Sequence, residues 1–306
     1  MSNICIIPAR GGSKRIPRKN IKPFLGKPII AYSIEAALES HLFDVVMVST
    51  DDKEIAETAI KFGAEVPFMR SKETANDFAT TADVLHEVLR EYAVRGMEFD
   101  FMCCLYATAP FVSAQRLAEA FEMMKQKGYD RVFPVVQFSY PIQRCFVIGD
   151  DGCVVRKWPE YELSRSQDLE PTYHDAGQFY FHNLKSFLDG KKDKSAGIIL
   201  SELEVQDLDT ETDWRIAEMK CTITKQHMEN KEKYIDVFVK TFGINPEVAV
   251  QLKYKDIPEW DSVGQLTLIA NIEECFGITL DTDDIFDFNS FVSGVDILKR
   301  KGIIID

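Results

Sequence analysis

Residues Ile4-Cys5-Ile6-Ile7 form an unbroken apolar run, rich in branched side chains, that stops at Pro8 and is followed by Arg10-Gly11-Gly12-Ser13. A half-exposed strand alternates apolar and polar residues. A continuous run predicts a strand buried on both faces, as in a parallel sheet with helices on either side. Pro8 has no N–H to donate and ends the ladder. The glycine pair lets the backbone turn tightly and approach a ligand, and Lys14, Arg15, Arg18 and Lys19 then lie over the turn. Between Met1 and Lys22 stand six basic residues and no acidic one, in a chain of net charge −13. Such a local excess is either a solvated basic loop or a seat for an anion, and a glycine turn after a buried strand is a common seat for phosphate.

The loop spacing is neither G-x-x-x-x-G-K-[ST] nor G-x-G-x-x-G, so neither a Walker A loop nor a dinucleotide fold is indicated. Strands and helices alternate after it. Residues 28–38 have helical spacing, 45–50 read as a second buried strand ending in Asp51-Asp52, and 52–62 read as a helix closed by Gly63. Residues 66–70 return toward the sheet, 80–92 form another helix and 101–106 another strand. This order predicts an α/β fold, a doubly wound, mostly parallel sheet with ligands at the carboxyl ends of its strands. Arg10, Asp51, Arg70 and Thr108 each follow a strand and are expected to share one crevice.

At 306 residues the chain has room for one large α/β domain and a small second one, with the boundary expected between residues 226 and 227. Seven cysteines, with no C-x-x-C and no metal-ligand spacing, predict free thiols in a reducing compartment, hence a cytoplasmic protein. No signal-peptide pattern and no long apolar run is present, so no membrane association is expected. A pI near 5.0 argues against non-specific nucleic-acid binding. Further along, Asp207 and Asp209 stand two apart. At a strand end they would point to the same side, where two hard oxygen ligands can share magnesium, although acidic loops are common without metal. Asp213 is expected to begin the next helix.

Over Ile6 to Asn20 the chain resembles the signature of the CMP-sialic acid synthetase family, cytidylyltransferases that activate nine-carbon acidic sugars and have a nucleotide-diphosphosugar transferase-like fold. Ser49-Thr50-Asp51-Asp52, Arg70-Ser71-Lys72-Glu73 and Ala107-Thr108-Ala109-Pro110 resemble its later blocks. The resemblance implies CTP binding by Arg10, Gly11, Gly12, Ser13, Lys19, Asn20, Arg70 and Thr108, with Arg10, Lys19 and Asp209 serving catalysis. The D-x-D-T-x-x-D pattern from Asp207 resembles the family's metal site, implying Mg²⁺ on Asp207 and Asp209. Tyr106, implied at the sugar by its place in the last block, stands where sialic acid members carry glutamine. With Phe138-Ser139-Tyr140-Pro141-Ile142-Gln143-Arg144, it is closer to CMP-pseudaminic acid synthetases. The resemblance further implies a dimerisation excursion over about 137–182 and a homodimer with shared active sites. Arg165 and Gln167 would reach the sugar, Arg165 through a bidentate contact to its carboxylate, with Arg144 supplying a further charge there. His174, in an aromatic-rich segment, reads either as a base or as an interface residue.

From about His227 the character changes. Residues 228–242 and 261–276 read as amphipathic helices, 303–305 as a short strand, and 228–306 hold 15 acidic and 8 basic side chains. Trp260-Asp261-Ser262-Val263, followed by Ile272-Glu273-Glu274-Cys275-Phe276-Gly277, resembles an acyl carrier protein. That implies a small all-α, four-helix-type domain with 4′-phosphopantetheine on Ser262, added by a phosphopantetheinyl transferase, and an acidic face for glycan-assembly enzymes. Asp-Ser is also an ordinary helix start. The expected reaction is attack of a sugar's anomeric hydroxyl on the α-phosphate of CTP, with pyrophosphate released and pseudaminic acid the favoured sugar. Sialic acid, legionaminic acid or an eight-carbon acidic sugar is the alternative substrate. A non-catalytic nucleotide-binding carrier or adaptor is the alternative of another class.

Overall fold

The first strand, β1 (Asn3–Pro8), is buried from Asn3 to Ile7. In this computed structural model, which describes residues 2–190 and 194–305, it is followed by a short hairpin of β2 (Pro23–Phe24) and β3 (Lys27–Pro28) and by α1 (Ile29–Glu39). Then come β4 (Val45–Ser49), α2 (Lys53–Lys61), α3 (Lys72–Ala75), α4 (Thr81–Val94), β5 (Phe101–Leu105), α5 (Ala114–Lys127) and β6 (Arg131–Gln137). The hairpin of β7 (Phe146–Ile148) and β8 (Val154–Arg156) precedes β9 (Tyr173–Asp175), β10 (Phe179–Asn183), α6 (Leu184–Asp189), β11 (Ser195–Leu200) and α7 (Glu211–Phe242).

The main sheet has the order β11-β6-β10-β5-β1-β4, with β9 also paired to β6. Strand β1 pairs in parallel with both β4 and β5, in a register that sets Cys5 opposite Val46 and Cys103. Strand β10 runs antiparallel to β5 and β6, so the sheet is mixed but mostly parallel. The period of two along β1 sends its side chains to both faces. Cys5 and Ile7 join Ile30, Ile34, Leu117 and Phe121 from α1 and α5, whereas Ile4 and Ile6 join Leu85, Val88 and Tyr92 from α4. Burying such aliphatic side chains stabilises by roughly 1.5–3 kcal/mol each. This double cover explains why the strand reads as one apolar run, and it is the expected doubly wound architecture.

Helix starts follow from local chemistry. Asp52 accepts the Ile55 N–H at 3.1 Å, and Thr80 with Asp83 forms a reciprocal capping box at α4.

Four expectations need correction. Arg70 does not follow a strand: residues 66–70 do return toward the sheet, but through a single bridge of Met47 with Glu65 and the Arg70 N–H donating to Thr50 O at 2.8 Å. The excursion is shorter than 137–182, because Tyr173–Asp175 and Phe179–Asn183 belong to the main sheet and only the stretch between β6 and β9, with the β7–β8 hairpin, departs from it. The helices expected from Asp213 and from 228 are one 32-residue helix, since no Gly or Pro interrupts the sequence between them. Residues 303–305 are not in a strand.

The chain divides into two compact units, residues 1–221 and 222–306. Both this division and the 226/227 boundary read from sequence fall inside α7. The second unit is helical, with the end of α7, α8 (Pro246–Ala249), α9 (Ser262–Phe276), α10 (Thr282–Asp287) and α11 (Phe291–Arg300). Its core gathers Tyr234, Phe238, Trp260, Leu268, Ile272 and Leu298. Among the described residues no helix is long and apolar enough to cross a membrane.

Candidate active site

The loop after β1 is tied to the end of β4. Ala9 N–H donates to Ser49 O at 2.9 Å and Gly11 N–H to Asp51 Oδ1 at 2.8 Å. A Cβ on Gly11 would sit 2.8 Å from Asp52 Oδ2 and 2.9 Å from Asp52 Cβ, so this position needs glycine; one on Gly12 would meet nothing within 4 Å. The expectation that both glycines serve the turn therefore holds sterically for Gly11 alone. Asp52 cannot give way easily, because it caps α2 and is also bonded by the Arg18 guanidinium, which reaches Glu54 as well. That hydrogen bond from Arg18, against a smaller cost of burial, holds the Asp52 carboxyl below the usual carboxylate range. Arg18, with φ 56, is the loop's anchor.

Arg10, Lys14, Arg15 and Lys19 face a cavity of about 500 Å³, lined also by Ser13, Asn20 and Arg70 among others, whereas Lys22 pairs with Glu211. Arg10 Nη1 donates to Asp77 Oδ1 at 2.7 Å and Lys14 Nζ to Asp77 Oδ2 at 2.6 Å. Asn20 Nδ2 donates to Arg10 O at 2.9 Å and so braces the loop rather than only facing a ligand. Arg70 is buried and donates from Nε to Ser49 Oγ at 3.1 Å and from Nη2 to Ser49 O at 2.5 Å. Burial pulls its pKa down, opposed by Asp51 and Glu87.

A second cavity of about 300 Å³ is lined by Lys19, Tyr106, Thr108, Asp175, Gln206 and Asp207, among others. Lys19 and Tyr106 line both cavities. Lys19 Nζ donates to Leu208 O at 2.7 Å and lies 4.0 Å from Asp209 Oδ1. Burial lowers its pKa from the ordinary lysine value, with Asp209 and then Asp207 opposing. Tyr106 is set by its backbone: its N–H donates to Gln178 O and its carbonyl accepts from Ser33 Oγ, both at 2.8 Å.

Asp207 and Asp209 are not on a strand end, as their spacing suggested, but on irregular backbone before α7. Leu208 between them is buried with Ile16, Phe24 and Trp214, and that anchoring turns the flanking aspartates away from the cluster. Asp209 pairs with Arg15 and Lys19. Thr210 and Asp213 cap α7 reciprocally: Thr210 N–H donates to Asp213 Oδ2 at 2.8 Å and Asp213 N–H to Thr210 Oγ1 at 3.2 Å. The T-x-x-D half of the motif is thus a helix start, and the D-x-D half supplies the carboxylates. Among the described residues no group of three or more His, Cys, Asp or Glu is gathered for a metal. Two carboxylates beside an anion seat nevertheless suit magnesium, which keeps several waters and takes substrate phosphates as ligands.

Of the residues singled out from sequence, Arg10, Ser13, Lys19, Asn20, Arg70, Tyr106, Thr108 and Asp207 line one or both cavities. Asp51 is a loop tie, and the crevice expected for Arg10, Asp51, Arg70 and Thr108 is divided between the two cavities. Arg144, Arg165, Gln167 and His174 line neither. Arg144 Nη1 donates to Ser166 Oγ at 3.1 Å, Arg165 and Gln167 are exposed, and His174 packs against Phe138 at 4.9 Å between ring centroids. Ser262, the first residue of α9, belongs to the second unit, where Asp261 accepts the Val263 and Gly264 N–H groups at 2.9 and 2.8 Å. Sequence reasoning missed Asp77 and Asp175. Each lies in a loop or strand end whose proximity to the site is set by tertiary packing.

With a basic glycine loop after the first strand of a doubly wound sheet, comparison with known proteins makes the chain a nucleotidyltransferase. A solved structure of CMP:2-keto-3-deoxy-manno-octonic acid synthetase complexed with CTP shares this fold, with a TM-score of 0.53, 18% identity and coverage of 74% of this chain and 99% of that one. The model of the family described as cytidylyltransferase matches residues 4–241, and the chain belongs to that family. It is 45% identical over 222 residues to a pseudaminic acid cytidylyltransferase of Campylobacter jejuni subsp. jejuni serotype O:2, covering 72% of this chain and 96% of the relative. It is 34% identical to a CMP-N,N′-diacetyllegionaminic acid synthase of Legionella pneumophila, covering 74% and 99%. It is 32% identical to N-acylneuraminate cytidylyltransferase A of Danio rerio, covering 97% and 63%.

Proposed function

We propose that this cytidylyltransferase transfers CMP from CTP to the anomeric hydroxyl of a nonulosonic acid, with pseudaminic acid as the favoured acceptor. The observation that carries the reading is the pair of cavities sharing Lys19 and Tyr106, one rimmed by cations and the other by Asp207. The 45% identity to a pseudaminic acid cytidylyltransferase, against 34% and 32% to the legionaminic and acylneuraminate relatives, supports the choice of sugar.

Arg10, Lys14 and Lys19 offset triphosphate charge in the first cavity, and the sugar occupies the second. Lys19, lining both, lies where the α-phosphate meets the anomeric oxygen. That oxygen attacks phosphorus and gives up its proton, the bond to the β-phosphate breaks, and pyrophosphate leaves. Transfer of this kind asks for positioning and charge neutralisation rather than a nucleophilic side chain. Asp207 and Asp209 would hold Mg²⁺, which supplies Lewis acidity and lowers a bound hydroxyl's pKa.

Arg165 and Gln167 act in this reading on the sugar of a partner subunit in a homodimer, with Arg144 beside them. The exposed apolar hairpin supports it: Ile148 is 74% exposed and Val154 60%, a burden that a protein surface normally covers. Seven free cysteines agree with a reducing, cytoplasmic setting. For the second unit, Ser262 on an exposed helix start supports a carrier-like role with phosphopantetheine. Intact mass after incubation with a phosphopantetheinyl transferase tests it, and no added mass leaves an unmodified module.

The deciding assay is pyrophosphate release from CTP across a panel of acidic sugars. Pseudaminic acid is expected to give the highest kcat/KM. No release with any acidic sugar would refute the transferase and favour a nucleotide-binding adaptor.

A further inference from the structure

Asp175 closes β9 and lines the second cavity with Lys19, Tyr106 and Asp207. Its Oδ1 accepts the Gly177 N–H at 2.7 Å, and Tyr180 Oη lies 2.9 and 2.8 Å from Oδ1 and Oδ2, so one hydroxyl proton is shared across the carboxylate. Both partners are neutral donors. Tyr180 is itself set edge-on against Tyr106, ring centroids 5.7 Å apart. Burial first, and the bond to Asp175 second, push the Tyr180 hydroxyl far up, which keeps it a donor.

An ionised carboxylate offers about four lone-pair positions, and these two donors do not fill them. In a cavity that must receive an acidic sugar next to a triphosphate, such a group repels its substrates unless a substrate donor meets it. An acceptor-only group selects ligands that present N–H or O–H, and rejects analogues that leave it unpaired. The neighbours Ala176 and Gly177 line the same cavity and leave space for a bulky substituent beside the carboxylate.

We propose that Asp175 is a specificity-determining residue that accepts the amide N–H of an acylamino substituent on the sugar, with Tyr180 as its positioning residue. This rests on the reading above that the acceptor is a nonulosonic acid. It also follows that the carboxylate should act on sugar binding and leave CTP binding alone, since Asp175 lines only the second cavity.

The test compares kcat/KM for an acylamino nonulosonic acid with that for the same sugar carrying hydrogen in place of the acylamino group. Asp175→Ala is expected to lower kcat/KM for the acylamino sugar by about 10- to 100-fold. The loss should appear in the KM for sugar, with the KM for CTP unchanged, and preference over the deoxy analogue should nearly vanish. Asp175→Asn keeps one acceptor and the side-chain shape, so it should give an intermediate preference, and it carries the test if the alanine variant fails to fold. Tyr180→Phe should shift the sugar KM in the same direction by less. Parental preference in the Asp175 variants, or a parallel rise in the KM for CTP, overturns the role of Asp175 alone. Absence of product from any acylamino sugar with the parent enzyme overturns the substrate reading and this role together.

Discussion

Lys19→Met removes the ammonium that both cavities share while keeping a stem of similar length to pack. Lys19 Nζ is 2.7 Å from Leu208 O and 4.0 Å from Asp209 Oδ1. At about 4 Å and an effective dielectric near 20, one unit charge on another interacts by about 4 kcal/mol gross, and a phosphate oxygen at that distance would feel the same field. Loss of one preorganised donor to a transition-state charge typically costs about 2.7–4 kcal/mol, about 10²- to 10³-fold in kcat. Asp209 keeps Arg15 as partner, so the variant does not strand a carboxylate, and its melting temperature should change little. Pyrophosphate release at saturating CTP and sugar is the assay, with Lys19→Arg as a control that retains charge. The parent should also lose kcat/KM for CTP on the alkaline side at a pH below the ordinary lysine value of 10.5, because burial favours the neutral amine. That limb should vanish in Lys19→Met. A variant within about threefold of parental kcat, well short of the 10² expected for a lost donor, would refute the placement of Lys19 between the substrates.

Asp209→Ala should lower turnover by at least about 10²-fold, and near-normal CMP-sugar formation would remove Asp209 from the proposed metal site. Gly11→Ala should destabilise by about 1–3 kcal/mol through its clash with Asp52 and raise the KM for CTP, whereas Gly12→Ala should melt like the parent; differential scanning calorimetry separates them. His182, buried and with its pKa lowered to about 4, stays neutral in the fold while the unfolded chain protonates from about 6.5. Stability should therefore fall as pH drops from about 6.5 to about 4, by no more than about 3 kcal/mol. Denaturant melts of His182→Leu should show a flatter pH dependence over that window, and an unchanged slope would discount this histidine.

The sheet was readable because β1, paired on both sides, is also covered on both faces, and a doubly covered strand has to be written as a continuous apolar run. The basic loop was readable for a similar reason: six cations in an acidic chain need a function or a partner. The strand β10 was not, since nothing in Phe179–Asn183 itself says that it will run antiparallel between β5 and β6. Asp207 and Asp209 were found through a motif, while the geometric reason offered for them was wrong. It is the buried Leu208, and not the alternation of a strand, that turns them. Asp77 and Asp175 carry no local signal, because a carboxylate in a loop looks the same whether it faces solvent or a cavity.

The loop's six cations divide by how their partners are held. Arg18 is spent on Asp52 and Glu54, which fix the loop to the start of α2, and Lys22 is paired with Glu211. Arg10 and Lys14 share Asp77, a partner that is 46% exposed on its side chain, with Lys14 itself 77% exposed. Pairs so open to water are weak and screened by salt. A triphosphate, carrying more charge and more acceptor oxygens than one carboxylate, can displace Asp77 without costing the fold an anchor. Arg15 and Lys19 fall between, both on Asp209, which links the loop to the segment before α7. Removing Arg18 should therefore loosen the loop before any nucleotide arrives, whereas removing Lys14 should be felt only when CTP is bound.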